Sequence, residues 1–119
     1  MFKSNNNLES RLQESKRIRD KYPDKIPIIC EKRTGDHQVP QLIKFKYLVP
    51  SDFTVGQFVY TIRKKIQLSS DQALYIFLED NTLPPTSQQL GLLYEQSKNE
   101  DGFLYIIYAG ENTFGYQKN

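Results

Sequence analysis

Tryptophan is absent from the 119 residues, and cysteine, histidine and methionine occur once each. A lone Cys30 forms no internal disulfide, and with His37 as the only histidine it completes no metal site; a reducing compartment and no metal are expected. Long hydrophobic runs are missing too. The longest, 73–78 and 103–109, fall far short of the roughly 20 residues that span a bilayer. The start, Met1-Phe2-Lys3-Ser4 and three asparagines, lacks the apolar stretch of a secretory leader, so a cytoplasmic protein is expected. Phe2 excludes N-myristoylation, and no prenylation box closes the chain. No phosphate loop, dinucleotide fingerprint or cofactor motif occurs.

What is present suffices for one domain. Hydrophobic residues make up 38% and aromatics 13%, the latter being seven Phe and eight Tyr, while 25% charged residues exclude a chain disordered throughout. The net charge of +2 hides an asymmetry. Residues 1–46 carry eleven Lys or Arg against six Asp or Glu, and residues 47–119 carry five against eight. A basic first half fits either an acidic partner or a solvated helix face, but the total is too small for a dedicated nucleic-acid binder.

Between residues 8 and 22 the chain is rich in charge and helix formers, with sparse apolar residues at Leu8, Leu12, Ile18 and Tyr22 before Pro23. This predicts a weakly amphipathic helix that lies against a domain without building its core. Ile26-Pro27-Ile28-Ile29-Cys30 reads as a strand, with Pro27 on a sheet edge or among the first strand residues. Residues 44–49 form a second strand, whose alternation puts Lys44, Lys46 and Leu48 on one face and Phe45, Tyr47 and Val49 on the other. Residues 34–38 read as the loop between them.

Thr54-Val55-Gly56-Gln57 is a capping box opening a helix with Val55, Phe58, Val59, Ile62 and Ile66 on one face. Residues 73–78 are a buried-strand candidate, Thr86-Ser87-Gln88-Gln89 a second capping box before a short helix, and 103–108 a central strand. A right-handed crossover between two early and two late strands makes the first and last neighbours in parallel. The predicted fold is α+β, a ubiquitin-like β-grasp. Residues 1–24 are its additional N-terminal helical segment, 25–109 its core and 110–119 a flexible tail.

Catalytic constellations are missing. Cys30 in an apolar strand reads as a small buried hydrophobe, His37 as a solvated loop residue, and the pairs Glu79-Asp80 and Glu100-Asp101 as surface charges at turns. No enzyme is expected. The tail offers Gly115 within Glu111-Asn112-Thr113-Phe114-Gly115, followed by Tyr116. A glycine carbonyl, with no Cβ beside it, fits a narrow catalytic channel for carboxyl chemistry.

Over nearly its whole length the chain resembles the autophagy ubiquitin-like modifiers, GABARAP and its relatives. The resemblance is carried by Ile18-Arg-Asp-Lys-Tyr-Pro-Asp24, Lys46-Tyr-Leu-Val-Pro-Ser-Asp52, Thr54-Val-Gly-Gln-Phe58, Ile62-Arg-Lys64, Leu83-Pro-Pro-Thr86, Phe103-Leu-Tyr-Ile106 and Glu111-Asn-Thr-Phe-Gly115. It implies that a processing cysteine protease cuts after Gly115, with Phe114 helping to place the bond and Tyr116 leading the released segment. Activating and conjugating enzymes would then join the Gly115 carboxylate to phosphatidylethanolamine on autophagosome membranes.

The resemblance also implies recognition of aromatic-x-x-aliphatic motifs added to the second strand. The aromatic pocket would use Glu14, Ile18, Pro27, Ile29, Lys46, Leu48 and Phe103. The aliphatic pocket would use Tyr47, Val49, Pro50, Phe53, Phe58 and Ile62, with Lys44 and Lys46 meeting acidic flanks. Val49, Phe58 and Ile62 read first as core. Thr61, where relatives carry an apolar residue, and Phe45, where they carry a basic one, depart from the pattern. The competing reading is a non-conjugated peptide-binding adaptor in vesicle trafficking, with Gly115 idle; nucleic-acid binding through the basic helix ranks third.

Overall fold

The apolar run at Ile26 forms strand β1 (Lys25–Lys32), in which five consecutive residues are buried. The structure, a computed structural model, describes residues 1–111, so the expected cleavage site at Phe114, Gly115 and Tyr116 lies outside the described residues. The run from Ile26 to Cys30 is buried without alternation because both faces of the strand are covered there. Ile26, Ile28 and Cys30 enter the main core, while Ile29 joins a second cluster with Phe2, Phe103, Tyr105 and Ile18. Pro27 costs no ladder bond. The Cys30 amide points to Phe45 O at 2.8 Å, so the nitrogen of Pro27 faces the other side, where pairing begins only at Ile28.

Strands β2 (Lys46–Pro50), β3 (Tyr75–Phe77) and β4 (Leu104–Ala109) complete a mixed sheet in the order β2-β1-β4-β3. β1 and β4 run parallel and the two outer pairs antiparallel, as the crossover rule requires. β3 is shorter than the 73–78 expected and sits at the sheet edge. β2 begins two residues later than expected.

Helix α3 (Val55–Lys65) packs Val55, Phe58 and Ile62 into the main core, and its capping box forms in full: Thr54 Oγ1 accepts from Gln57 N at 3.1 Å, and Gln57 Oε1 from Thr54 N at 2.8 Å. The second expected capping box does not form. Helix α4 (Leu90–Ser97) starts at Leu90 with Gln89 as an N-cap that makes no side-chain bond. Residues 86–88 instead run past the start of α3, where Thr86 O accepts from Gly56 N and Gln88 O from Val55 N, both at 2.9 Å. Satisfying the orphan amides of α3 outweighs a local cap. The face of α4 is as expected, with Leu90, Leu93 and Tyr94 buried.

Helix α2 (Leu8–Lys21) is capped by Asn7, whose Oδ1 accepts from Ser10 N at 2.8 Å. It lies on β1 as expected, with Ser15 as its only buried residue. Before it stands a four-residue helix that the sequence did not announce, α1 (Phe2–Asn5), which buries Phe2. The Phe2 ring meets Phe103 edge-on at 5.3 Å between centroids.

The expected surface position of Asp101 is overturned: its side chain is wholly buried under α2. Its carboxylate accepts from Arg11 Nη1 at 2.6 Å, from Phe103 N at 2.9 Å and from the Tyr105 hydroxyl. Burial first, and then the bond to Asp101, raises the Tyr105 phenol. Arg11's own hydrogen bond to Asp101 raises its guanidinium. The Ser15 hydroxyl donates to Asp101 O, and a Cβ on Gly102 would fall 2.3 Å from Ser15 Oγ. With φ at +89°, only glycine suits that turn. Asp80 does cap a surface turn, through Thr82 N and Oγ1.

Candidate functional site

Strand β2 has β1 on one side and, among the described residues, no strand on the other. Its register sorts the expected residues between two faces, because cross-strand partners share a face. Lys46 pairs with Ile29 and Leu48 with Pro27; Tyr47 pairs with Ile28 and Val49 with Ile26. One face therefore looks toward α2 and the other toward α3.

On the α2 face, Lys46 Nζ donates to Glu14 Oε2 at 2.8 Å and stands 5.0 Å from the centroid of the Phe2 ring. Leu48 is exposed, Ile18 packs from α2, and Ile29 and Phe103 form a wholly buried floor against Phe2. Phe2 was missed in the sequence. Its only signal was one aromatic in an otherwise polar start.

On the α3 face, Tyr47, Val49, Phe58 and Ile62 belong to the main core, with Phe53 packed against it and Pro50 ending the strand. The Tyr47 and Phe58 rings meet edge-on at 5.8 Å. Burial pushes the Tyr47 phenol up to about 12, and its hydroxyl donates to Lys44 O at 2.7 Å. Thr61 turns its hydroxyl back to Gln57 O at 3.0 Å and spends its polarity on its own helix.

Two residues depart from the expected alternation, because the strand starts only at Lys46. Lys44 does not share a face with Lys46; its ammonium stands over the Tyr47 ring at 5.6 Å. Phe45, expected on the face of Tyr47, remains partly exposed and sets its ring against Phe2 on the α2 side, 6.0 Å between centroids.

Near the end of the described residues, Asp36 ties the β1–β2 loop to the exit of β4. Its Oδ2 accepts from Gly110 N at 2.8 Å, and its Oδ1 from Gln38 N at 2.8 Å and Val39 N at 3.2 Å. Burial alone would raise this carboxyl. The three amides, with Arg33 beside them, outweigh it and hold the group below the usual range. The loop and Glu111 border a depression of about 460 Å³.

Cys30 is buried, and burial pushes its thiol up, away from the thiolate a nucleophile needs. His37 is exposed. Among the described residues, no group of three His, Cys, Asp or Glu is placed to hold a metal ion, and no helix is long and apolar enough to cross a membrane. The arrangement at β2 offers backbone groups to an extended chain, apolar side chains on both faces and ammonium groups at the rim.

The family described as "Autophagy protein Atg8 ubiquitin like" matches residues 10–115. Autophagy-related protein 8a of Arabidopsis thaliana is 57% identical over 114 residues, covering 96% of this chain and 92% of its own. Autophagy-related protein 8 of Schizosaccharomyces pombe is likewise 57% identical over 114 residues, covering 96% and 93%. The crystal structure of Trypanosoma brucei ATG8 superposes with a TM-score of 0.85 at 45% identity, covering 96% of this chain and 97% of that one. With its ubiquitin-like sheet and N-terminal helices, the chain belongs to the Atg8 family of autophagy proteins.

Proposed function

We propose that this protein is a lipid-conjugated modifier of autophagy that gathers partners carrying aromatic-x-x-aliphatic motifs. The observation that carries the reading is the free edge of β2 between two apolar faces. In an extended peptide, side chains three positions apart point to opposite faces. A peptide added to β2 thus sends its aromatic residue toward Ile18, Pro27, Lys46 and Leu48, over the floor of Ile29 and Phe103. Its aliphatic residue goes toward Tyr47, Val49, Pro50, Phe53, Phe58 and Ile62. Backbone pairing supplies affinity, the two faces supply selectivity, and Lys44 and Lys46 attract acidic flanks.

The attachment chemistry concerns Gly115, the last residue that the family matches. A cysteine protease cuts after it and releases residues 116–119. The new carboxylate is adenylated, carried as a thioester by activating and conjugating enzymes, and joined as an amide to phosphatidylethanolamine. Two acyl chains are enough for stable anchoring. A cytoplasmic domain thereby becomes a fixture of the autophagosome membrane.

Two measurements test this. Lys46→Ala with Leu48→Ala abolishes calorimetric binding of a Trp-x-x-Leu peptide while the unfolding transition stays in place; unchanged affinity overturns the groove. Gly115→Ala abolishes the lipid-dependent mobility shift and membrane retention in cells. A variant that still supports autophagy without lipid favours the non-conjugated adaptor.

A further inference from the structure

Asp36 is buried, at 7% exposure, and is bonded to two parts of the chain at once. Its Oδ1 accepts from Gln38 N and Val39 N, inside its own loop. Its Oδ2 accepts from Gly110 N at 2.8 Å, in the first residue after β4. A second bond follows one residue on, where Gln38 Nε2 donates to the Glu111 carboxylate. The loop itself is placed by its backbone. Arg33 N donates to Tyr108 O at 2.9 Å, Asp36 N donates to Arg33 O at 3.1 Å, and Gly35 takes the turn at φ +86°. The fit is close, since a Cβ on Gly110 would fall 2.7 Å from Gln38 Cβ and 3.2 Å from Val39 Cγ1. The loop thus clasps the two residues that leave the sheet after Ala109, whose partner in the ladder is Tyr75.

We infer that Asp36 is a positioning residue for processing after Gly115, the hydrolysis that leaves a Gly115 carboxylate and a Tyr116 amine. The clasp fixes the point from which the tail starts, and so presents the scissile bond to a protease that binds the folded domain. The inference rests on the processing step proposed above and adds to it a residue remote from the bond in sequence. Five residues lead from Gly110 to Gly115, a tether that reaches no more than about 18 Å when fully extended. With a tether so short, the place where Gly110 is held decides where the Gly115 carbonyl can go.

Without the carboxylate, Gly110 and Glu111 join the length of chain that the protease must order on binding, and ordering backbone costs affinity. Once in the channel, the bond reacts in the same geometry. The loss therefore falls on KM and not on kcat.

The test follows cleavage of the full chain by the purified processing protease, under conditions where unfolding curves show every variant folded. Asp36→Ala removes the acceptor, whereas Gly110→Ala pushes the loop away with the carboxylate still present. Each is expected to raise KM about tenfold at an unchanged kcat, the ratio that ordering one residue's backbone gives. Asp101→Ala, which costs stability under α2 without touching the tail exit, keeps the native KM. A native KM in either clasp variant, or a loss confined to kcat, overturns the positioning role while processing stands. So does a rise in KM that Asp101→Ala shares, because it traces to lowered stability. A native chain that the protease leaves whole overturns processing after Gly115, and the role of the clasp with it.

Discussion

Lys46 and Glu14 face each other across the cleft between β2 and α2, with Nζ and Oε2 2.8 Å apart. Both side chains keep solvent contact, at 44% and 24% exposure, so the pair contributes little to folding. What it does is engage the Lys46 ammonium at the mouth of the α2-side cleft. Glu14→Gln is expected to change the unfolding free energy by no more than about 0.5 kcal/mol. It should also tighten a peptide with acidic residues before its aromatic one by about twofold to threefold. Calorimetry at low and high salt checks this, since the gain should shrink as salt screens the freed charge.

Phe2 is held by rings on three sides: Phe103 at 5.3 Å, Phe45 at 6.0 Å and Tyr105 at 6.5 Å. Phe2→Ala removes the cover of Ile29 and Phe103 and is expected to cost about 3 kcal/mol, the lower end for a buried aromatic, because the short α1 can adjust. Denaturant unfolding measures the loss, and near-ultraviolet dichroism should register the changed packing around Phe103.

Asp101 joins α2 to the turn before β4. Asp101→Ala leaves the Tyr105 hydroxyl and the Phe103 amide without their acceptor, at an expected cost of about 2–3 kcal/mol. The damage should be local. Amides of residues 8–21 exchange faster with solvent, while those of β1 and β4 stay protected, because the main core lies on the other face of the sheet. Hydrogen exchange read by mass spectrometry separates the two regions.

Asp36 sets an acid dependence of stability. Its carboxyl stays ionised in the folded chain to a lower pH than in the unfolded one, where aspartate titrates at about 3.9. The stabilisation is complete above that value and is lost as pH falls below it toward the folded value. Urea unfolding between pH 5 and pH 3 should therefore show a steeper decline for the native chain than for Asp36→Asn, with the two curves converging in acid.

Much of the sheet was legible because its signals are local. The β-branched run at Ile26, the capping box at Thr54 and the apolar stretch after Phe103 each specify an element, and chain order made β1 and β4 parallel neighbours. The faces of Tyr47 and Val49 against Lys46 and Leu48 followed from alternation. Lys44 and Phe45 did not, because pairing starts only at Lys46 and alternation ends with it. The capping pattern at Thr86 failed for a non-local reason: its backbone serves the start of α3. The burial of Asp101 and Phe2 is equally non-local, each depending on a partner about a hundred residues away in the chain, Arg11 for one and Phe103 for the other. No window along the sequence holds both members of such a pair.

The parallel partnership of the first and last strands bears on how the chain is born. β1 emerges early from the ribosome, yet its neighbour β4 occupies residues 104–109 of 119. Until residues 104–109 have been made, β1 has β2 as its one strand neighbour among the described residues, and the Arg11 guanidinium waits for Asp101. Long-range closure of this kind is slow. The nascent polypeptide is therefore expected to leave the exit tunnel with its central seam still open, needing shelter from aggregation until the final segment zips into place.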